Sequence, residues 1–373
     1  MKKCVLLVAA LLTSFVVMAQ TMWYNPMESE YGVVQNQAFS EEIKGYARLP
    51  KRAQEVVRTD VWNLAQHSAG LAIHFYTNSP VIEVRYSTMS KNYAMPHMPA
   101  TGVSGVDLYR IDSGGNWAYC SAKYSFGDEV NYKYAELSNT APANAQGYEY
   151  RMYLPLYNGV KSMQIGVQQG SKFQFIAASN AKPVVVYGTS IAQGGCASRP
   201  AMMWSTIVQR AIDVPLVNLG FSGNGRLEKE VLDFIGEIDA SLYILDCIPN
   251  LVNHDPEFVY KATIDAVKQL RNVRKAPILL VEHAGFTDEL VNQRRFKNVA
   301  ATNAASRRAF EQLKKEGVEG LYYLSRKEIA ISYESTVDGN HLTDYGMMQQ
   351  AKAVEKSVRK ILRISGKRKN TRN

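Results

Sequence analysis

The spacing of apolar and polar positions changes character near residue 180. Before it, short β-rich runs alternate with turn signals. The run at 71–76 (Leu-Ala-Ile-His-Phe-Tyr) is followed by one at 81–86, entered through Asn78-Ser79-Pro80. The run at 106–111 leads into Asp112-Ser113-Gly114-Gly115, a strong hairpin turn signal. Segments 148–154 and 163–167 continue the pattern, and few stretches have a helical period. Many short strands at such spacing predict a β-sandwich or jelly roll over residues 20–180.

After Pro183 the pattern becomes strand–helix–strand. Val184-Val185-Val186-Tyr187 is an unbroken apolar run suited to a buried parallel strand. Further strands are predicted at 216–219, 242–245, 278–281 and 321–324. Helices are predicted at about 200–211, 227–235, 256–273, 288–316 and 343–364. Thr343 is suited to cap the last helix, with Asp344 in its first turn. Repeated β-α units of this length predict an α/β domain over 181–365, a parallel five-stranded sheet flanked by helices. Ligands of such folds sit at the carboxyl ends of the strands, where the chemistry is expected.

The two ends stand apart from this core. Lys2 and Lys3 precede an uncharged run at 5–18, and Val17-Met18-Ala19 resembles a small-residue cleavage site. Residues 1–19 therefore read as a secretory signal peptide, too short for a membrane span. No other stretch is suited to crossing a membrane. Residues 366–373 read as a basic, disordered tail. The net charge of +9 includes six cations from these ends (Lys2, Lys3, Lys367, Arg368, Lys369, Arg372), and removing them leaves +3. That is too small to argue for a nucleic-acid partner. Export permits disulfides, and Cys120, Cys196 and Cys247 remain after the signal. Cys196 and Cys247 each follow a predicted strand of one sheet, which leaves a bridge between them open.

Four segments at strand ends or in a late loop carry residues with chemistry. They are Gly188-Thr189-Ser190-Ile191, Gly220-Phe221-Ser222-Gly223-Asn224-Gly225, Asp246-Cys247-Ile248-Pro249-Asn250 and Asp338-Gly339-Asn340-His341. A serine hydroxyl is a weak nucleophile until a base takes its proton. The three-residue spacing of Asp338 and His341 lets the carboxylate fold back onto one imidazole nitrogen. The other nitrogen is then free to accept the Ser190 proton. Acyl transfer also needs donors for the developing oxyanion. The Gly223 amide, the Asn250 side-chain amide and the Ser190 amide are suited to this. Each segment alone reads more simply as a turn or a helix cap. Their order at consecutive strand ends is what makes them specific.

That order resembles the SGNH/GDSL hydrolase superfamily. Gly188-Thr189-Ser190-Ile191 is similar to its Gly-Asp-Ser-Leu block, with Thr for Asp and Ile for Leu. Residues 218–223 resemble the second block, and 338–343 closely resemble the last. The third block departs: Asp246-Cys247-Ile248-Pro249-Asn250 stands where Gly-x-Asn-Asp is usual. With Met95-Pro96-His97-Met98-Pro99-Ala100-Thr101-Gly102-Val103, these segments resemble a two-domain branch common in Bacteroidetes, with a β-rich domain before the hydrolase domain. The resemblance implies a flavodoxin-like catalytic domain without a cofactor. It implies Ser190, Asp338 and His341 as catalytic residues and an oxyanion hole of Ser190, Gly223 and Asn250. Acylated carbohydrate is the substrate class it suggests.

Three further residues are possible substrate-binding groups: Arg199 soon after the nucleophile, Glu282 at the end of the fourth strand (beside His283), and His97 in a Met- and Pro-rich loop. For each, an ordinary structural role competes. His67, His74 and His254 show no metal-ligand spacing, and no His-Glu-x-x-His is present, so the sequence predicts no metal site. The expected activity is an exported esterase that removes short acyl groups, mainly acetyl, from carbohydrate or another small ester. A lipase or thioesterase and a non-catalytic carbohydrate-binding protein are the competing readings. The sequence is silent on the oligomeric state.

Overall fold

The computed structural model describes residues 20–138, 140 and 142–365, so both the signal-peptide assignment at 1–19 and the tail at 366–373 lie outside the described residues. The N-terminal half holds strands β1 (Thr21–Tyr24), β2 (Val34–Gln35), β3 (Ala72–Thr77), β4 (Ile82–Thr88), β5 (Asp107–Ile111), β6 (Trp117–Cys120), β7 (Lys123–Phe126), β8 (Val130–Tyr134), β9 (Tyr148–Tyr153), β10 (Val160–Gln168) and β11 (Phe173–Phe175). They form two antiparallel sheets, β1-β10-β4-β8-β7 and β11-β3-β9-β5-β6, with β2 pairing β3. The alternation that marked 81–86 now has its physical reason: Ile82, Val84 and Tyr86 are buried, while Glu83 and Arg85 are only half-buried. One core joins these residues to Ile73, Phe75, Leu108, Tyr150 and Met152 of the facing sheet, which makes a sandwich. At the predicted hairpin after β5, Asp112 accepts from the amides of Gly114 (2.8 Å) and Asn116 (2.9 Å).

The second half is an all-parallel sheet of β12 (Val184–Gly188), β13 (Leu216–Gly220), β14 (Leu242–Asp246), β15 (Ile278–Val281) and β16 (Leu321–Leu324), in the order β13-β12-β14-β15-β16. This is the flavodoxin-like order, with the first strand flanked by the second and third. Every residue of β12, β13, β14 and β15 is buried, as a sheet covered on both faces requires. Alternate residues feed two cores. Val185, Tyr187, Leu219, Tyr243 and Leu280 enter one with helices α5 (Lys229–Glu237), α6 (Pro256–Val273) and α7 (Gln293–Lys315). Val184, Val186, Leu216, Ile244 and Leu279 enter the other with α4 (Trp204–Ile212) and α9 (Asp344–Leu362). Thr343 caps α9 as expected, accepting from the Gly346 amide.

Three differences from the sequence reading have clear causes. The helix expected at about 200–211 is broken at Met203, whose extended backbone separates a 3-10 turn (Pro200–Met202) from α4. The helix expected from 288 starts only at Gln293, where Asn292 caps it. Helix α1 (Thr59–Ala65) was not foreseen. It lies in an N-terminal segment whose Phe39, Leu49, Ala53, Val57, Val61 and Ala65 pack into the core of the parallel sheet, not into the sandwich.

Register sets the site. Gly188 lies level with Gly220 on one side and Asp246 on the other. The segments that follow these three residues therefore leave the sheet at a single carboxyl edge.

Candidate active site

Ser190 opens the short helix α3 (Ser190–Gln193) directly after β12 and is 6% exposed. Its Oγ lies 3.0 Å from His341 Nε2. His341 Nδ1 lies 2.7 Å from Asp338 Oδ2. Asp338 Oδ1 accepts from the amides of His341 (2.8 Å) and Asn340 (3.0 Å). The His341 carbonyl accepts from the Val337 amide (2.8 Å), which closes the loop on itself. Burial alone would raise the Asp338 carboxyl. The hydrogen bonds from the His341 amide, the His341 ring and the Asn340 amide outweigh it and hold the group at about 2. An ionised Asp338 assigns the ring proton to Nδ1 and leaves the Nε2 lone pair toward Ser190. In that state Nε2 can take the Ser190 proton as Oγ attacks a carbonyl carbon.

Around Ser190 the sheet edge supplies donors. Ser190 occupies the first helical position, where an amide has no intrahelical acceptor. Phe221 donates to the Gly188 carbonyl (2.9 Å), drawing the 221–225 loop toward the strand that precedes Ser190. A side chain at Gly225 would overlap the Gly188 carbonyl, so only glycine permits this approach. Gly223 adopts φ +69°, the left-handed region. Asn250 joins the same loop, donating Nδ2 to the Gly225 carbonyl (3.1 Å) and more weakly to that of Phe221 (3.5 Å). One of its amide hydrogens is thus committed to shaping the loop, and only the other is weakly held.

The sequence reading missed the support beneath these loops. Arg48 is 2% exposed and donates to the carbonyls of Gly220 (2.7 Å), Asn218 (3.2 Å), Leu64 (2.6 Å) and His67 (2.9 Å). Burial lowers it to about 9. Gln193 Oε1 accepts from the Ser222 amide (3.0 Å), and its Nε2 contacts His67 Nδ1 (3.1 Å). Tyr157 Oη donates to the Ser190 carbonyl (3.1 Å). Arg48, His67 and Tyr157 all precede β12 and lie outside any regular period, so no local signal marked them.

The lesser candidates divide. Arg199 is not a free cation: Nη1 pairs with buried Asp107 (2.9 Å) and the Tyr109 hydroxyl (3.0 Å), and the guanidinium lies 4.3 Å from the Tyr119 ring centroid. Glu282 accepts from the Arg307 side chain (3.2 Å) and the Arg326 amide (2.5 Å), the buried structural role that competed with cleft lining. His97 does reach across, its ring centroid 5.5 Å from that of His341. Cys120, Cys196 and Cys247 are all buried, free thiols. Cys247 packs in one core and Cys196 in the other, on opposite faces of the sheet, which is why the bridge left open by the sequence does not form. Burial and the nearby Asp338 charge push the Cys196 thiol up to about 12.

Residues 181–359 match the GDSL-like lipase/acylhydrolase family, and residues 21–173 match the N-terminus of SGNH-type esterases. A crystal structure described as a GDSL-like lipase from Bacteroides ovatus is 31% identical, with a TM-score of 0.83, over 93% of this chain and 99% of that one. The chain belongs to the SGNH/GDSL hydrolase family. This SGNH hydrolase also shares its fold with the salicylyl-acyltransferase SsfX3 from a tetracycline biosynthetic pathway (TM-score 0.66, 18% identity), over 92% of this chain and 96% of that one. No curated protein matches it. Family membership supports an esterase or acylhydrolase. Among the described residues of the SGNH hydrolase, no helix is long and apolar enough to cross a membrane.

Proposed function

We propose that this SGNH hydrolase is an exported serine esterase that removes short acyl groups, chiefly acetyl, from carbohydrate through an acyl-enzyme. The observation that carries the reading is the hydrogen-bonded row from Ser190 Oγ through His341 to Asp338. Ser190 Oγ attacks the ester carbonyl while His341 Nε2 takes its proton. The carbonyl oxygen becomes an oxyanion facing the Ser190 and Gly223 amides and the weakly held Asn250 hydrogen. Collapse breaks the bond to the leaving alkoxide, which receives the proton from His341. Water, deprotonated by the same nitrogen, then attacks the acyl-Ser190 carbonyl and releases the carboxylic acid. Asp338 keeps the tautomer and stabilises the imidazolium. Export rests on the leader-like residues 1–19, and carbohydrate on the resemblance of the whole chain.

The test is acetate release from a panel of acetylated polysaccharides, with Ser190→Ala as the control. Release by the wild type and none by a folded Ser190→Ala supports the reading. Equal release by both contradicts it. A lipase-like preference has one observation in its favour. Leu290 (70% exposed) and Val291 (87% exposed) lie just after Thr287, whose amide donates to the Gly339 carbonyl (2.9 Å), two residues from His341. Rates that rise with acyl length would select that reading, and rates that fall would select acetyl. Glycan binding without ester turnover or covalent labelling by a fluorophosphonate would favour a non-catalytic carbohydrate-binding protein.

A further inference from the structure

The sequence predicted no metal site because its histidines lack ligand spacing. The fold nevertheless brings three donors together from distant segments. One donor atom each from His97, Cys196 and His341 lies within 4.8 Å of the others. We propose that these residues form a binding site for a thiophilic divalent cation of the Zn²⁺ type, and that occupancy shuts off the nucleophile.

All three donors stand on fixed backbone. His97 sits at the tip of a tight turn in which Met95 and Met98 exchange amide–carbonyl bonds (2.9 and 3.1 Å), and Met98 is buried in the core beneath. The Cys196 amide donates to the Leu342 carbonyl (3.3 Å), so the thiol is tied to the residue next to His341. His341 is oriented by Asp338 on Nδ1, which leaves Nε2 as its ligand atom. A carboxylate behind a histidine in this way fixes the tautomer a metal needs and strengthens the ligand. Tetrahedral Zn²⁺ with bonds of ~2.0 Å to nitrogen and ~2.3 Å to sulfur needs donors roughly 3.5 Å apart, so the side chains need to close by about 1 Å. Two imidazoles and a thiolate select Zn²⁺ or Cd²⁺ over Mg²⁺ or Ca²⁺, which prefer oxygen. Water or Ser190 Oγ is suited to the fourth position.

Binding displaces the Cys196 proton to solvent and makes one metal–sulfur and two metal–nitrogen bonds. The Nε2 lone pair that would accept the Ser190 proton is then occupied. The inhibitory consequence rests on the esterase reading, whereas the binding does not. It also makes the site composite, because His97 comes from the sandwich half and the other ligands from the hydrolase half.

Calorimetric titration of the full chain with ZnCl₂ tests binding directly, and cobalt(II) supplies an independent signal through its thiolate charge-transfer absorption. The expected result is one Zn²⁺ per chain, no heat from MgCl₂, and a Co²⁺ charge-transfer band that Zn²⁺ bleaches. His97→Ala and Cys196→Ser each weaken Zn²⁺ binding by ~100-fold or more, and Asp338→Asn by ~10–100-fold. Ser190→Ala retains binding. In an ester assay the same Zn²⁺ inhibits the wild type and a chelator restores it. Absence of Zn²⁺ heat, or equal affinity in wild type and His97→Ala, overturns the proposal. His97 is exposed, so that variant is decisive even if Cys196→Ser fails to fold. Stoichiometric Zn²⁺ binding by a chain with no ester turnover would support the site while refuting the esterase reading.

Discussion

The residues before β12 and the hydrolase half after it serve one candidate site by opposite means. In the hydrolase half, Ser190, the 221–225 loop and Asn250 follow strands held in register at one sheet edge. Regular structure does the placing, and three of the four chemical segments are the first residues past a strand. The residues preceding β12 contribute from irregular backbone. Arg48 binds carbonyls, His67 meets Gln193, Tyr157 holds the Ser190 carbonyl, and His97 faces His341. The difference separates chemistry from stiffness. On the proposed reading the hydrolase half carries the reacting groups, and the earlier segment limits how its loops can move. Mutations in the first group should remove rate, whereas mutations in the second should remove stability before rate.

The largest separation is expected at Asp338. Asp338→Asn lets Nδ1 face a donor as readily as an acceptor, so kcat on an activated acetyl ester should fall by about 10⁴ with little change in melting temperature. Because Asp338 is held at about 2, its own protonation should not limit activity in mild acid. A fall below tenfold would break the assigned tautomer. Where the two halves meet, Arg199→Ala strands the buried Asp107 carboxylate of the sandwich, and thermal unfolding should show a loss of ~3 kcal/mol with KM unchanged. A change in KM without loss of stability would return Arg199 to substrate binding. Asn250→Ala removes both a weakly held donor and a loop clamp. It should lower kcat by ~10- to 100-fold, below the cost of a fully committed oxyanion donor. The smallest effect is at Asp246, which burial raises to about 8 and which accepts from Gln350 (3.3 Å). Its folded pKa lies above the unfolded one near 4, so the folded state binds more protons between them. Stability should therefore fall as pH rises from about 4 to 8. Asp246→Asn should flatten that slope and add ~1–2 kcal/mol at pH 8, as read from urea unfolding at several pH values. An unchanged slope would show that Asp246 ionises without cost.

This contrast also explains what was legible in the sequence. The parallel sheet could be read because β12, β14 and β15 each hold an unbroken apolar run. That Ser190, Asp338 and His341 come together could be read because strand ends and a short Asp-x-x-His spacing constrain them locally. Asn250 was visible as a candidate, but its commitment to the Gly225 carbonyl depends on how closely two loops approach. The role of Arg199 was decided by Asp107, ninety-two residues away. The inward packing of 39–65 was hidden because its apolar residues follow neither a strand nor a long helix period. His97 was noticed in its loop, but its partners Cys196 and His341 adjoin it only through the packing of the two halves.

Covalent labelling with a fluorophosphonate, followed by peptide mapping, bears most directly on the assignment of Ser190. The phosphorus is attacked by an activated serine and fluoride leaves, so one adduct per chain should appear on the peptide containing Ser190. The adduct should disappear in Ser190→Ala and weaken sharply in His341→Ala. Stoichiometric labelling of another serine, or ester turnover by a wild-type chain that takes no label at Ser190, would contradict the assignment.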